Sequence, residues 1–131
     1  MHKGEMMFLN CSNHSSKMWS IEQKNAAAKW GEIVDYPFPL VSADVDETEI
    51  NNYAENIVRD MLKMRPSVVM CQGESTLAYS IITKLLQNGI HVIAACSERK
   101  AEESILADGS VQKKVLFQFV KFREYAFAKK N

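Results

Sequence analysis

Two apolar runs with little polar alternation constrain the fold of this chain most strongly. Residues 67–72 read SVVMCQ, and residues 90–96 read IHVIAAC. A strand covered on both faces needs no alternating polar residues, so both runs predict buried strands. Between them, residues 73–88 favour a helix, and Gly89 stands where a left-handed terminator belongs. A strand, a helix and a strand in this order predict a parallel sheet with a right-handed crossover.

The earlier part of the chain repeats this alternation. Residues 6–10 and 32–36 are strand candidates, and Ser20 with Gln23 has the form of a capping box before an alanine-rich helix that Gly31 stops. Asp46 with Glu49 can cap a longer helix, which has an apolar stripe at three- and four-residue spacing and stops before Pro66. The complete order predicts an α/β fold, a Rossmann-like or flavodoxin-like parallel sheet with helices on both faces.

The last third of the chain departs from this alternation of strands and helices. Residues 107–110, ADGS, are a turn signal between two strand-like stretches, and we predict a C-terminal β-hairpin over residues 100–125. Alternation in KKVLFQFVKF is typical of a strand with one solvated face, so its lysines are interpreted as solvated residues rather than a nucleic-acid patch. Residues 1–131 are predicted to form one domain, with residues 1–5 as a tail.

Composition narrows the function classes. Sixteen basic and 16 acidic residues give a formal net charge of zero, so we expect neither a membrane nor duplex nucleic acid as a partner. The apolar runs are far shorter than the ~20 residues that span a bilayer, and no signal-peptide core is seen, which predicts a cytoplasmic protein. Three cysteines lack ligand spacing and are interpreted as reduced thiols; no cofactor or metal is predicted.

The predicted site lies at the carboxyl ends of the strands. Ligands of open parallel sheets bind where the strand order reverses, which in a 2-1-3-4 order lies between the first and third strands. Three polar loops, residues 10–17, 72–76 and 96–99, are expected to gather there. The candidate ligand-binding residues are Asn10, Ser12, Asn13, Ser15, Gln72, Gly73, Glu74, Ser75, Thr76, Ser97 and Glu98.

Charged groups and backbone amides suggest a phosphate-bearing ligand. His14, Lys17 and Arg99 could hold or polarise a phosphate, and the amides of residues 73–76 open a helix whose positive end favours anions. Alternatives remain open. His14 could be a surface residue and Arg99 a salt-bridge partner. Glu74 could serve the helix dipole, and Cys96 could be either an inert thiol or a nucleophile beside His14.

Small size, the polar loop after the first strand, the glycine-containing helix entry after a central strand and the trailing hairpin together resemble a known family. The chain resembles the CRISPR-associated Rossmann-fold (CARF) domains and the small CARF-like ring nucleases. That resemblance implies binding of cyclic oligoadenylate by a symmetric homodimer in CRISPR type III antiviral defence, and metal-independent cleavage through a ribose 2′-hydroxyl.

Within the resemblance, His14, Lys17 and Arg99 are the expected catalytic residues, and the other polar residues of the loops would position phosphates and bases. Three other functions stay open. The same loops could hold a nucleotide without reacting it, or Glu74 or Glu98 could serve a nucleoside-processing glycosyl hydrolase or transferase. The chain could also be an inert partner-binding protein that pairs through its hairpin.

Overall fold

A computed structural model of the protein describes residues 6–128, and the predicted tail at residues 1–5 lies outside them. The elements of this part follow in the order β1 (Met7–Cys11), α1 (Ile21–Ala28), β2 (Glu32–Asp35), α2 (Glu47–Met64), β3 (Val68–Cys71), α3 (Ser75–Gln87), β4 (Val92–Ile105) and β5 (Val111–Glu124). A short 3-10 turn, Ser16–Met18, precedes α1.

The strands form one five-stranded sheet in the order β2-β1-β3-β4-β5. The first four strands are parallel, and β5 runs antiparallel to β4. The predicted Rossmann-like α/β fold is therefore confirmed, including the C-terminal antiparallel strand pair. The strand order reverses between β1 and β3, where the sequence places it.

Two hydrophobic clusters cover the two faces of the sheet. Alternate residues of β3 divide between them: Val69 and Cys71 pack with α2 and α3, whereas Val68 and Met70 pack with Ala27 of α1. All four residues are buried, which explains why this strand shows no polar alternation. No helix within residues 6–128 has the length and apolar character needed to cross a membrane.

Helix ends follow the predicted capping residues. The Ser20 hydroxyl accepts a hydrogen bond from the Gln23 amide at 3.2 Å, and the Asp46 carboxylate accepts one from the Glu49 amide at 2.9 Å. After α3, Gly89 has φ +74°, the left-handed conformation that glycine adopts without strain.

The predicted loop at residues 96–99 is wrong, because these residues belong to β4. Ser97 pairs with Phe119 and Arg99 with Phe117, after one register shift between Cys96 and Ser97. Residues 97–105 contain no glycine or proline to end a strand, and β5 supplies a backbone partner along their length. The predicted hairpin is present but longer than residues 100–125, because its first strand begins at Val92. His91, which was predicted to lie within this strand, precedes it.

Most of this hairpin extends past the sheet. The pairing of β3 with β4 covers Val92 and Ile93, whereas the pairing of β4 with β5 continues to Ile105 and Val111. The two strands beyond Cys96 therefore form a two-stranded ribbon whose side chains are largely exposed.

Candidate functional site

A cleft of about 1000 Å³ lies at the carboxyl ends of β1 and β3. Its walls are the loop after β1, the start of α1 and the hairpin, and Met70 and Gln72 contribute from β3 and the residue after it. This is the position expected for a ligand site in an open parallel sheet, at the reversal of strand order.

The loop after β1 is held in place by a buried amide. Asn10 is 1% exposed, and its Nδ2 donates to the His14 carbonyl and to Oδ1 of Asp35, both at 2.9 Å. Its Oδ1 accepts a hydrogen bond from the Ser12 hydroxyl at 2.7 Å. Asn10, predicted to contact the ligand, instead shapes the loop that presents Ser12, Asn13 and His14 to the cleft.

Asp35, at the end of β2, is the second anchor of this loop. Its carboxylate accepts hydrogen bonds from the Ser15 hydroxyl at 3.1 Å and from the Ser16 amide at 3.2 and 3.3 Å. Partial burial raises the pKa of Asp35, but the hydrogen bonds from Asn10, Ser16 and Ser15 outweigh it and hold the pKa below its ordinary value.

Sequence reasoning missed Asp35. A signal was available, because an acidic residue at the carboxyl end of the strand beside β1 must lie next to the loop that leaves β1.

The side chain of Glu74 caps the start of α3. The Glu74 carboxylate accepts hydrogen bonds from the Leu77 amide at 2.8 Å and from the Thr76 hydroxyl at 2.5 Å. These bonds, the Thr76 hydroxyl first, lower the pKa of Glu74. The exposed Glu74 thus caps the start of α3 through the Leu77 amide, one residue beyond the amides of residues 73–76 that were predicted to hold an anion.

Gly73 serves packing. A Cβ at Gly73 would lie 2.5 Å from carbons of the Phe38 ring, and Phe38 is buried in the larger core cluster. The missing side chain therefore makes room for this ring. Gln72 next to it accepts a hydrogen bond from the Ala95 amide through Oε1 at 2.8 Å. Its Nε2 donates no hydrogen bond within residues 6–128 and is available in the cleft.

The structure separates the predicted site residues into two groups. Those that line the cleft are Ser12, Asn13, His14, Gln72, Gly73 and Ser97. Those that do not are Asn10, Ser15, Lys17, Glu74, Ser75, Thr76, Glu98 and Arg99. Of the three predicted catalytic residues, His14 alone lines the cleft. Lys100 lines the cleft where Arg99 was expected.

Three aromatic side chains in the cleft were missed. Trp19 precedes α1, and Phe117 and Phe119 come from the hairpin. Trp19 packs edge-on against Phe8, with ring centroids 5.7 Å apart. The alternating phenylalanines were visible in the sequence, but the position of the hairpin beside α1 depends on tertiary packing.

The charges of the cleft are few and mixed. Lys100 is opposed by Glu22 and Glu102, which leaves a formal charge of −1 when His14 is neutral. A polyanion would therefore find little electrostatic attraction in a single chain.

The thiols of Cys11 and Cys71 belong to the hydrophobic core. Cys11 and Cys71 are buried neighbours on β1 and β3, and the side-chain hydrogen bond with Cys11, with burial, raises the pKa of Cys71. Cys96 does not line the cleft beside His14, so the geometry does not support a thiol nucleophile there. Within residues 6–128 no group of three or more His, Cys, Asp or Glu side chains is arranged to hold a metal ion.

Comparison with known proteins adds a family. The model of the uncharacterized protein MJ1673 family matches residues 6–123. The chain belongs to the MJ1673 family. No curated protein sequence matches it. The match spans β1 through nearly all of β5, so the cleft and the hairpin both lie within the MJ1673-family region.

Proposed function

We propose that this MJ1673-family protein binds a cyclic oligoadenylate in the cleft, as its resemblance to CARF domains implies. One observation carries the proposal: aromatic and polar side chains meet in a single cleft at the reversal of strand order. Trp19, Phe117 and Phe119 offer faces for stacking, and Asn13 and Gln72 offer hydrogen bonds.

Base stacking supplies most of the binding energy in this proposal. A base stacked on an aromatic side chain contributes about 1–3 kcal/mol, and this contribution does not depend on attraction between charges. The cleft volume of about 1000 Å³ is at the upper end of the range of ~300–1000 Å³ for small-molecule sites. Such a volume favours a ligand with several bases over a single nucleotide.

The phosphates of the ligand need more cations than residues 6–128 of one chain place in the cleft. Among these residues Lys100 is the one lysine or arginine that lines it, beside the two glutamates Glu22 and Glu102. We therefore propose that the protein binds the ligand as a homodimer, in which the second subunit adds positive charge. We place this activity in the cytoplasm, in the CRISPR type III defence that the resemblance implies.

Cleavage would proceed without a metal. His14 would take the proton of a ribose 2′-hydroxyl, whose oxygen attacks the adjacent phosphorus. The bond from phosphorus to the 5′-oxygen breaks, the 5′-oxygen takes up a proton, and the product is linear with a 2′,3′-cyclic phosphate. Lys100 replaces Lys17 and Arg99 as the cation for the developing charge, since it lines the cleft and they do not.

A second candidate, a sensor that holds the nucleotide intact, is favoured by one observation. Two of the three predicted catalytic side chains, Lys17 and Arg99, lie outside the cleft. Neither Glu74 nor Glu98 lines it, so no observation favours the glycosyl hydrolase or transferase alternative.

Calorimetry with cyclic tri-, tetra- and hexa-adenylate, with AMP and ATP as comparison ligands, tests binding. Phe117→Ala should weaken binding about 5- to 150-fold through the lost stack, whereas Phe127→Ala, an exposed aromatic outside the cleft, should not. Asn13→Ala should also weaken binding, with Asn25→Ala as its control. The proposal is wrong if no cyclic oligoadenylate binds at micromolar protein, or if each variant matches its control.

Chromatography of the incubated ligand separates the two candidates. A ring nuclease yields a linear product that His14→Ala abolishes while binding persists. Intact ligand bound to the wild-type protein identifies the sensor. A linear product that His14→Ala forms at the wild-type rate contradicts the assigned role of His14.

A further inference from the structure

The side-chain amide of Gln72 has a fixed orientation in the cleft. Its Oε1 accepts a hydrogen bond from the Ala95 amide at 2.8 Å. A backbone N–H can only donate, so the atom of Gln72 that faces it must be the oxygen. Nε2 of Gln72 is therefore directed away from Ala95 and can donate hydrogen bonds to a ligand in the cleft, which Gln72 lines.

The sheet determines this orientation. β3 pairs with β4 as far as Met70 and Ile93, whereas β4 continues beyond them. Backbone groups that face the same neighbouring strand recur at every second residue, so the Ala95 amide, two residues after Ile93, faces the side on which β3 has ended. Gln72 supplies the acceptor that a longer β3 would supply. Rotation of its amide by 180° would set Nε2 against the Ala95 N–H and leave that donor unpaired.

Gln72 lies deep in the cleft. It follows β3 directly and lines the cleft together with Met70, which is buried, whereas Phe117 of the hairpin is 74% exposed. A purine that enters with its ribose and phosphate toward solvent points its Watson–Crick edge inward, because N1 and the substituent at C6 lie opposite the glycosidic nitrogen. The edge that reaches Gln72 is therefore the one at which purines differ in donors and acceptors.

We propose that Gln72 selects adenine by the fixed polarity of its side-chain amide. Nε2 donates to N1 of adenine, and the second lone pair of Oε1 accepts a hydrogen bond from the 6-amino group. Hypoxanthine presents the opposite polarity, since its N1 carries a hydrogen and its C6 carries an oxygen. The inference rests on the proposed function, and it assigns the choice of base within that function to one residue.

An amide that is free to rotate would not select between these bases, because exchange of its oxygen and nitrogen suits either one. Asn13 and Gln23 also line the cleft, and their side-chain amides make no hydrogen bond within residues 6–128. Both can therefore turn to match a ligand. Gln72 differs from them through its contact with Ala95, which is the observation that carries the inference.

Calorimetry with matched rings tests the selectivity of the wild-type protein. It compares cyclic tri-, tetra- and hexa-adenylate with rings of the same sizes that carry hypoxanthine, so ring size and charge are constant within each pair. The adenine ring should bind about 5- to 150-fold more tightly, the range that a good bidentate contact gives against the wrong base.

Gln72→Glu inverts the group that faces the ligand and keeps the group that faces Ala95. One carboxylate oxygen still accepts from the Ala95 amide, whereas the other replaces Nε2, accepts from N1–H of hypoxanthine and repels N1 of adenine. The ratio of the hypoxanthine Kd to the adenine Kd should therefore fall at least about fivefold, while the added charge weakens both ligands. Gln23→Glu adds the same charge to the cleft and should leave this ratio unchanged.

Equal affinity of the wild-type protein for both bases would overturn the inference. A ratio that Gln72→Glu leaves unchanged would also overturn it, and would mean that Nε2 donates to a phosphate, a contact that does not depend on the base. In both cases cyclic oligoadenylate still binds, so the proposed function stands.

Absence of binding by every cyclic oligoadenylate would instead contradict the proposed function. NMR titration with AMP and IMP then decides the inference by the same ratio, in the wild-type protein and in Gln72→Glu. A preference for AMP that Gln72→Glu reduces would support it, whereas equal binding of the two nucleotides, or binding of neither, would overturn it.

Discussion

At the scale of single residues, two polar side chains determine the conformation of the loop after β1. Asn10 satisfies its buried amide through three hydrogen bonds, and Asp35 accepts bonds from two serines of the same loop. A buried amide left without partners costs about 1–3 kcal/mol, so this network selects one loop conformation. Asn10 and Asp35 do not line the cleft, but they position the loop whose residues 12–14 do.

Asp35→Asn should lower the free energy of unfolding by about 1 kcal/mol at pH 7, a value reduced by solvent screening of an exposed carboxylate. The folded-state pKa of Asp35 lies below its ordinary value of 3.8, so its stabilisation is present above that value and is lost as the pH falls below it. The difference between wild type and variant, measured by urea denaturation, should therefore shrink from pH 7 to pH 3.

Glu32→Gln, at the other end of the same strand, is the control for that measurement. An Asp35→Asn effect that is equal at pH 7 and pH 3 would contradict the role given to the ionised carboxylate.

At the scale of elements, local signals predicted most of the structure. Ser20, Asp46 and Gly89 mark helix ends because capping depends on neighbours in sequence, and the apolar runs mark strands because β3 is covered on both faces. The path of β4 beyond Cys96 was not predictable in this way. It depends on backbone pairing with β5, from Ser97 with Phe119, 22 residues apart, to Ile105 with Val111, 6 residues apart, and so does the choice of Lys100 over Arg99 in the cleft.

The start of α3 gives a prediction at this scale. Glu74 caps the helix, so Glu74→Ser, which keeps a capping oxygen, should preserve both the thermal unfolding midpoint and the affinity for cyclic oligoadenylate. Glu74→Ala should lower the midpoint and leave the affinity unchanged. Loss of binding or of turnover in a folded Glu74→Ser protein would contradict the capping role and favour a chemical one.

At the scale of the whole molecule, the sheet topology and the hairpin together make the cleft. Reversal of strand order opens the space between β1 and β3, and the ribbon beyond the sheet adds the wall that carries Phe117 and Phe119. The position of the site was predictable from the order of elements. Its aromatic character and its negative charge were not, because they depend on how the hairpin packs beside α1.

Chemical-shift mapping of the ¹⁵N-labelled protein during titration with a cyclic oligoadenylate tests the central claim most directly. The account predicts shifts of the Asn13 and His14 amides, the Gln72 side-chain amide, the Trp19 indole and residues 117–119, all of which line the cleft. Shifts confined to the smaller apolar groove of about 360 Å³ between Pro39 and Ile57, or no shifts at saturating ligand, would contradict it.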